Sequence, residues 1–251
     1  MCGHGRNRRR TENGAILQKL TITIPVRAQH MALCTAWPDG PGPFPAIVVI
    51  QHAPGLDTFM QTMVERLAQA GYVAAAPDLY HRLDARLDGM AKMKLLRDRD
   101  VEADVAATVD WLRGHAAVAP ERLGIIGFCM GGRVVYLAAA ANPHFRAAVA
   151  FYGGNIMLPW GEGAAAPFAR TSEIHCPLMF HFGADDTNPS PDDMRRYDAE
   201  LTRHNKAHEF HAYAGAGHAF LNFTNAKRYR EAASAIAWPR SLDFLAHHLR
   251  A

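Results

Sequence analysis

Short apolar runs alternate with longer stretches of helical spacing along nearly the whole chain. Residues 17–26 set Thr21 and Thr23 against Leu20, Ile22 and Ile24, the period-two pattern of a half-buried strand. Residues 30–37 read as a second strand, and the Arg27-Ala28-Gln29 link is short enough for a hairpin. Apolar runs follow at 46–50, 72–76, 123–128 and 147–152, the first continuous and β-branched as expected of a strand covered on both faces, and 177–183 and 209–213 also read as strands. Between them, 58–70, 101–113, 133–141 and 191–204 carry helical spacing, the first closed by Gly71. A final helix is expected over 226–248, broken at Pro239. The mixed, charged stretch 83–99 suggests a short lid helix. The long irregular stretch 153–176 is of a length that usually carries function.

An antiparallel start followed by alternating strands and helices predicts an α/β protein. Its central sheet is mainly parallel, of about eight strands, with helices on both faces. No composition shift marks a boundary, so residues 15–251 read as a single domain. Residues 1–14, with Arg6, Arg8, Arg9 and Arg10, read as a disordered basic tail.

Composition narrows the function. Of 251 residues, 49% are hydrophobic and 20% charged, as in ordinary globular proteins. The net charge of +3 owes much to the basic tail and gives no case for nucleic acid. No signal core or membrane-length apolar run is present, so a cytoplasmic, monomeric protein with no membrane partner is expected. Cys2, Cys34, Cys129 and Cys176 form no CxxC pair and no metal-ligand spacing, so free thiols and no metal site are expected. Cys34 and Cys176 sit in apolar strand contexts that suit packing.

Cys129 differs. It lies in Leu123-Gly124-Ile125-Ile126-Gly127-Phe128-Cys129-Met130-Gly131-Gly132, where an apolar run meets Gly-x-Cys-x-Gly and then a helical pattern. This is the form of a nucleophile elbow with cysteine in place of serine. The helix N-terminus would favour thiolate over thiol. A nucleophile on such a turn needs a base and an orienting acid, in the order nucleophile, acid, histidine. Gly183-Ala184-Asp185-Asp186 follows one late strand and Ala214-Gly215-Ala216-Gly217-His218-Ala219-Phe220 the next. Either could be a solvated turn, but three signals in order, each after a strand, favour a triad of Cys129, Asp186 and His218, with Asp185 as the other acid.

The chain resembles the dienelactone hydrolase family of α/β-hydrolases from about residue 17 to its end. The matching pieces are Ile50-Gln51-His52-Ala53-Pro54-Gly55, Pro77-Asp78-Leu79-Tyr80-His81-Arg82, Gly127 to Gly132, Phe151-Tyr152-Gly153-Gly154, Gly183 to Asp186, and Gly215 to Phe220. The family's glycine-plus-three spacing selects Asp186 over Asp185. The resemblance implies an α/β-hydrolase fold and hydrolysis of an enol-lactone or small ester through a Cys129 thioester, with no metal or organic cofactor. His218 would move the proton, Asp186 would fix its tautomer, and the backbone N–H groups of Ala53 and Met130 would hold the oxyanion.

Two departures matter. His52 stands where well-known members carry a glutamate, and is expected to tune the thiol, touch substrate or merely pack. Of two arginines that hold a substrate carboxylate in those members, one matches Arg82 and the other place is Asn222. Arg133 or Arg170 could substitute, Tyr152 and Tyr80 could line the pocket, and Trp160 could line its entrance. The alternatives are a hydrolase or acyl transferase on neutral esters or thioesters, and a non-catalytic scaffold that binds a small molecule.

Overall fold

The strands are β1 (Asn7–Arg10), β2 (Ile16–Val26), β3 (Gln29–Pro38), β4 (Phe44–Ile50), β5 (Val73–Pro77), β6 (Val118–Phe128), β7 (Phe145–Phe151), β8 (Leu178–Gly183) and β9 (His208–Tyr213). The helices are α1 (Thr58–Gln69), α2 (Gly89–Leu95), α3 (Asp98–Gly114), α4 (Met130–Ala141), α5 (Pro191–Arg203) and α6 (Glu231–Arg250). The computed structural model describes residues 7–10 and 16–250, with side chains from residue 16. All nine strands join one sheet in the order β1-β2-β3-β5-β4-β6-β7-β8-β9. The first four strands in that order pair antiparallel, and every pairing from β5 to β9 is parallel.

Strands β2 to β9 are the eight expected from the pattern. The ninth, β1, comes from the segment expected to be a disordered tail, and pairs Asn7 with Lys19 and Arg10 with Ile16. A free strand edge offers unpaired N–H and C=O groups to any extended segment, so no side-chain pattern announces such pairing. Residues 1–6 and 11–15, with Cys2 and Arg6, lie outside the described residues.

The β-branched centre of the sheet is buried as its pattern requires. Along β4, Ala46, Val48 and Ile50 face a core built with α3, α4 and α5, while Ile47 and Val49 face one built with α1 and α6. Asp57 caps α1 by accepting from the Met60 N–H, and Gly71 stops it in a left-handed conformation (φ +91°).

The last helix departs from expectation. It begins at Glu231 rather than at 226 and runs unbroken through Pro239. A proline forfeits one backbone hydrogen bond. Here Ala237 and Trp238 before it, and Ser241, Phe244 and Leu245 just after it, are all buried against the sheet, which holds both halves on one course. The charged stretch before α3 resolves into α2 and an earlier α3 start at Asp98.

His181, on β8, is fully buried. Its Nδ1 lies 2.9 Å from the Tyr213 hydroxyl and its Nε2 2.9 Å from Ser241 Oγ. Burial, with His211 and Arg240 nearby, holds it well below the ordinary imidazole range. Below about pH 6.5 the unfolded chain takes up this proton while the folded chain does not, so stability falls as pH drops. Thermal melts of His181→Gln should therefore show a smaller loss between pH 8 and pH 5 than wild type, whatever its stability at pH 8. An equal loss in both proteins would show that His181 is not the group responsible.

Candidate active site

The turn from β6 into α4 is so tight that two glycines are obligatory. A Cβ on Gly127 would fall 2.2 Å from the Gly131 carbonyl oxygen, and one on Gly131 would fall 2.5 Å from that of Ile50. Cys129 sits between them at φ 56°, ψ −119°, a strained conformation for a side-chain-bearing residue. Its N–H donates to the Phe151 carbonyl (3.0 Å) and its carbonyl accepts from Gly132 (2.9 Å). The thiol is thereby presented at the C-terminal edge of the sheet, where loops of parallel strands converge.

Those loops carry the expected partners. The β8 and β9 loops press together, since a Cβ on Gly183 would meet the Ala216 carbonyl oxygen at 2.1 Å. This contact sets His218 Nδ1 2.9 Å from Asp186 Oδ2. The other Asp186 oxygen accepts from the Asn188 N–H at 2.9 Å, which fixes the carboxylate. Asp185 is exposed, while Asp186 is buried, so the acid that meets the histidine is the one at the family spacing. The Tyr152 ring packs edge-on against the His218 ring, 5.2 Å between centroids.

On its other side His218 hydrogen-bonds Cys129. Burial would raise the thiol, but the His218 hydrogen bond and charge, with the N–H groups of Met130 and Ala53, outweigh it and lower the thiol below its ordinary value. Burial likewise opposes the His218 imidazolium, yet Asp186 and Cys129 push it up to about 10. Both shifts act in favour of the thiolate–imidazolium form of the pair. The two N–H groups expected at an oxyanion site are those aimed at the sulfur.

The remaining expected contacts are arranged differently. Arg82 donates to buried Asp104 at 2.7 Å, in a cavity of about 290 Å³ lined also by Leu79, Leu96 and Arg97. Arg133 is fully buried, forked onto Asp98 (2.6 and 3.0 Å), bonded to the Leu158 carbonyl and stacked under the Trp160 indole at 3.8 Å. Arg170 pairs with Glu102 and Glu173. Asn222 uses its side-chain oxygen on the Thr224 N–H and hydroxyl (3.0 and 2.7 Å). Each of these arginines is already paired with an acid, and α3 supplies one to all three: Asp104 to Arg82, Asp98 to Arg133 and Glu102 to Arg170. Trp160 serves the Arg133 ion pair and lines a cavity with Arg97 and Arg99. His52 places Nε2 2.9 Å from Asp57 Oδ1 and its ring 5.3 Å from Phe59. Tyr80 turns its hydroxyl onto Ala53.

Asp98, Asp104 and Gly89 escaped the sequence reading. An acid at the start or on the buried face of a helix looks like a solvated charge until its partner, drawn from a distant element, is known. Among the described residues no cluster of metal-ligating side chains occurs, and no helix is long and apolar enough to cross a membrane.

Known proteins fit this picture. The model of the Dienelactone hydrolase family matches residues 31–249. A protein provisionally named a carboxymethylenebutenolidase, from Synechocystis sp., is 33% identical over 230 residues, covering 87% of this chain and 92% of that one. One from Bradyrhizobium sp, named with the same reserve a 2-oxo-3-(5-oxofuran-2-ylidene)propanoate lactonase, is 34% identical over 83% of this chain and 86% of its own. A crystal structure from Klebsiella pneumoniae, provisionally called a dienelactone hydrolase, superposes with a TM-score of 0.82 at 31% identity, over 92% of this chain and 98% of that one. A match that begins in β3 and runs to the end of α6, alongside a solved relative covered almost in full, leaves one assignment: the chain belongs to the dienelactone hydrolase family.

Proposed function

We propose that the protein hydrolyses a small carboxylic ester or enol-lactone through a thioester on Cys129. The observation that carries this reading is the continuous Asp186–His218–Cys129 hydrogen-bond chain, with the Ala53 and Met130 N–H groups converging on the same sulfur. In the first half-reaction the thiolate adds to the ester carbonyl, and the developing oxyanion takes the two N–H groups. Collapse breaks the C–O bond, and the His218 imidazolium gives its proton to the leaving alkoxide or enolate. In the second half, neutral His218 accepts a proton from water as its oxygen adds to the thioester. Release of the carboxylic acid returns the thiolate and the imidazolium. Asp186 keeps Nδ1 protonated throughout, which leaves Nε2 to face the sulfur. His218→Gln removes the strongest influence lowering the thiol, so burial then raises it. The reading rests on these groups alone and invokes no cofactor.

The substrate favoured is uncharged. Arg82, Arg133 and Arg170 are each held by carboxylates of the chain, and the Asn222 oxygen is committed to Thr224. A substrate carboxylate would have to share these guanidiniums with the acids that already hold them, at a desolvation cost its ester does not bear. In a panel of a carboxylated enol-lactone, its uncharged counterpart and p-nitrophenyl acetate, kcat/KM for the neutral lactone should exceed that of the acid by roughly tenfold or more. The opposite ranking would mean that Arg82 leaves Asp104 when substrate binds.

A further inference from the structure

The hydroxyl of Tyr80 is buried beneath the two donors that face Cys129. It lies 2.8 Å from the Ala53 carbonyl oxygen, 3.1 Å from the Gly89 carbonyl oxygen and 3.3 Å from Met130 Sδ. All three are acceptors, so one proton is shared among them, with the Ala53 oxygen nearest. Ala53 and Met130 are the two residues whose N–H groups reach the Cys129 sulfur. Gly89 opens α2, and its Cα fits so closely on Ala53 that a Cβ there would fall 2.1 Å from the Ala53 carbonyl oxygen. Gln51, fully buried, accepts at 3.3 Å from the N–H of Leu79, beside Tyr80 in the chain. The Tyr80 ring is held in turn, since its own N–H donates to Asp78 (3.0 Å) and Gly55 packs against its edge.

We propose that Tyr80 is the positioning residue of the oxyanion site, its hydroxyl fixing the Ala53 backbone and tying it to the start of α2. The inference rests on the thioester reading above. Ala53 sits on a loop between β4 and α1, and Pro54 after it has no N–H to anchor the turn. Without the hydroxyl, Ala53 loses the side-chain bond that sets its orientation, and the N–H aimed at the sulfur loosens with it. Tyr80 touches neither sulfur nor substrate carbonyl, so its effect passes through Ala53. A pre-aligned donor is worth most where charge develops, so the loss falls on the transition state more than on binding.

The test is Tyr80→Phe, which keeps the ring and removes the oxygen. With p-nitrophenyl acetate, kcat should fall about tenfold while KM stays within about twofold, because both half-reactions pass through an oxyanion. The pH midpoint for alkylation of Cys129 by iodoacetamide should rise, since the thiolate loses an aligned donor. Gly89→Ala, which presses a methyl on the same carbonyl, should move both readouts the same way and serves if Tyr80→Phe does not fold. Tyr72→Phe removes a buried hydroxyl with no hydrogen-bond partner and should move neither. Unchanged kcat and alkylation midpoint in Tyr80→Phe would overturn the proposal, as would a rise in KM alone. Should wild type prove inactive on every ester, the thioester reading fails by itself. The alkylation midpoint then still decides, a rise supporting the positioning role and no change refuting it.

Discussion

Cys129→Ala should abolish ester hydrolysis, lowering kcat by at least about 10⁴-fold, because the residual oxyanion donors cannot replace a nucleophile. Alanine keeps the Cβ and hence the strained backbone at φ 56°, so thermal stability should change little. The reaction should also hold its rate below the pH at which an ordinary thiol ionises. Cys129 is lowered from its usual value, so thiolate persists as pH falls until the folded-state pKa is passed. At the other end the imidazolium disappears only as pH rises through about 10. His218→Gln should both slow hydrolysis and shift the alkylation midpoint upward. If Cys129→Ala remains fully active, Cys129 is not the nucleophile; if wild type hydrolyses no ester and iodoacetamide barely labels Cys129, the scaffold alternative takes the place of the enzyme.

Arg133→Met should be the most destabilising single change outside the sheet core. It strands Asp98, a buried carboxylate that accepts both from the guanidinium and from the Trp160 N–H at 2.8 Å. Breaking such a pair from one side costs about 3–5 kcal/mol, which in a chain of this size lowers the melting temperature by on the order of 10 °C. The double variant Arg133→Met/Asp98→Leu should recover at least half of that loss, because no uncompensated charge remains. Equal stability of single and double variants in thermal melts would show that the cost lies in lost packing under Trp160 instead. The pair joins the helix after Cys129 to α3 and to the stretch 153–176, so the long segment expected to carry function is pinned here by structure.

The legible parts of this protein were those governed by local rules. Continuous runs such as 46–50 declare a strand covered on both faces, and glycines at 127 and 131 declare a turn that admits no Cβ. Asp186 and His218 followed from chain order and strand position, and the geometry brings them together as that order implies. What stayed illegible depends on partners far along the chain. Arg82 matches a family motif, yet its guanidinium meets Asp104 on α3, which no spacing rule connects to it. Asn222 reads as a substrate contact, but a local turn takes its oxygen. Pro239 obeys a correct rule about helix breaking that burial on both sides overrides. The aromatic at 80 could have been core or pocket with equal right, because a hydroxyl's partners are three backbone and side-chain atoms from three different elements.

The position of β9 has a dynamic consequence. It is the outermost strand on its side, bonded only to β8, and most of its residues are partly or fully exposed. Its amides are therefore among those that exchange with solvent through local opening, well before the central strands are released. His218 is carried on the loop that β9 anchors, whereas Cys129 is anchored by β6 in the middle of the sheet. The proton carrier and the nucleophile thus belong to regions of unequal local stability. Fraying of one edge can disconnect the pair while the hydrophobic interior stays folded, so loss of activity and loss of structure are separate events in this molecule.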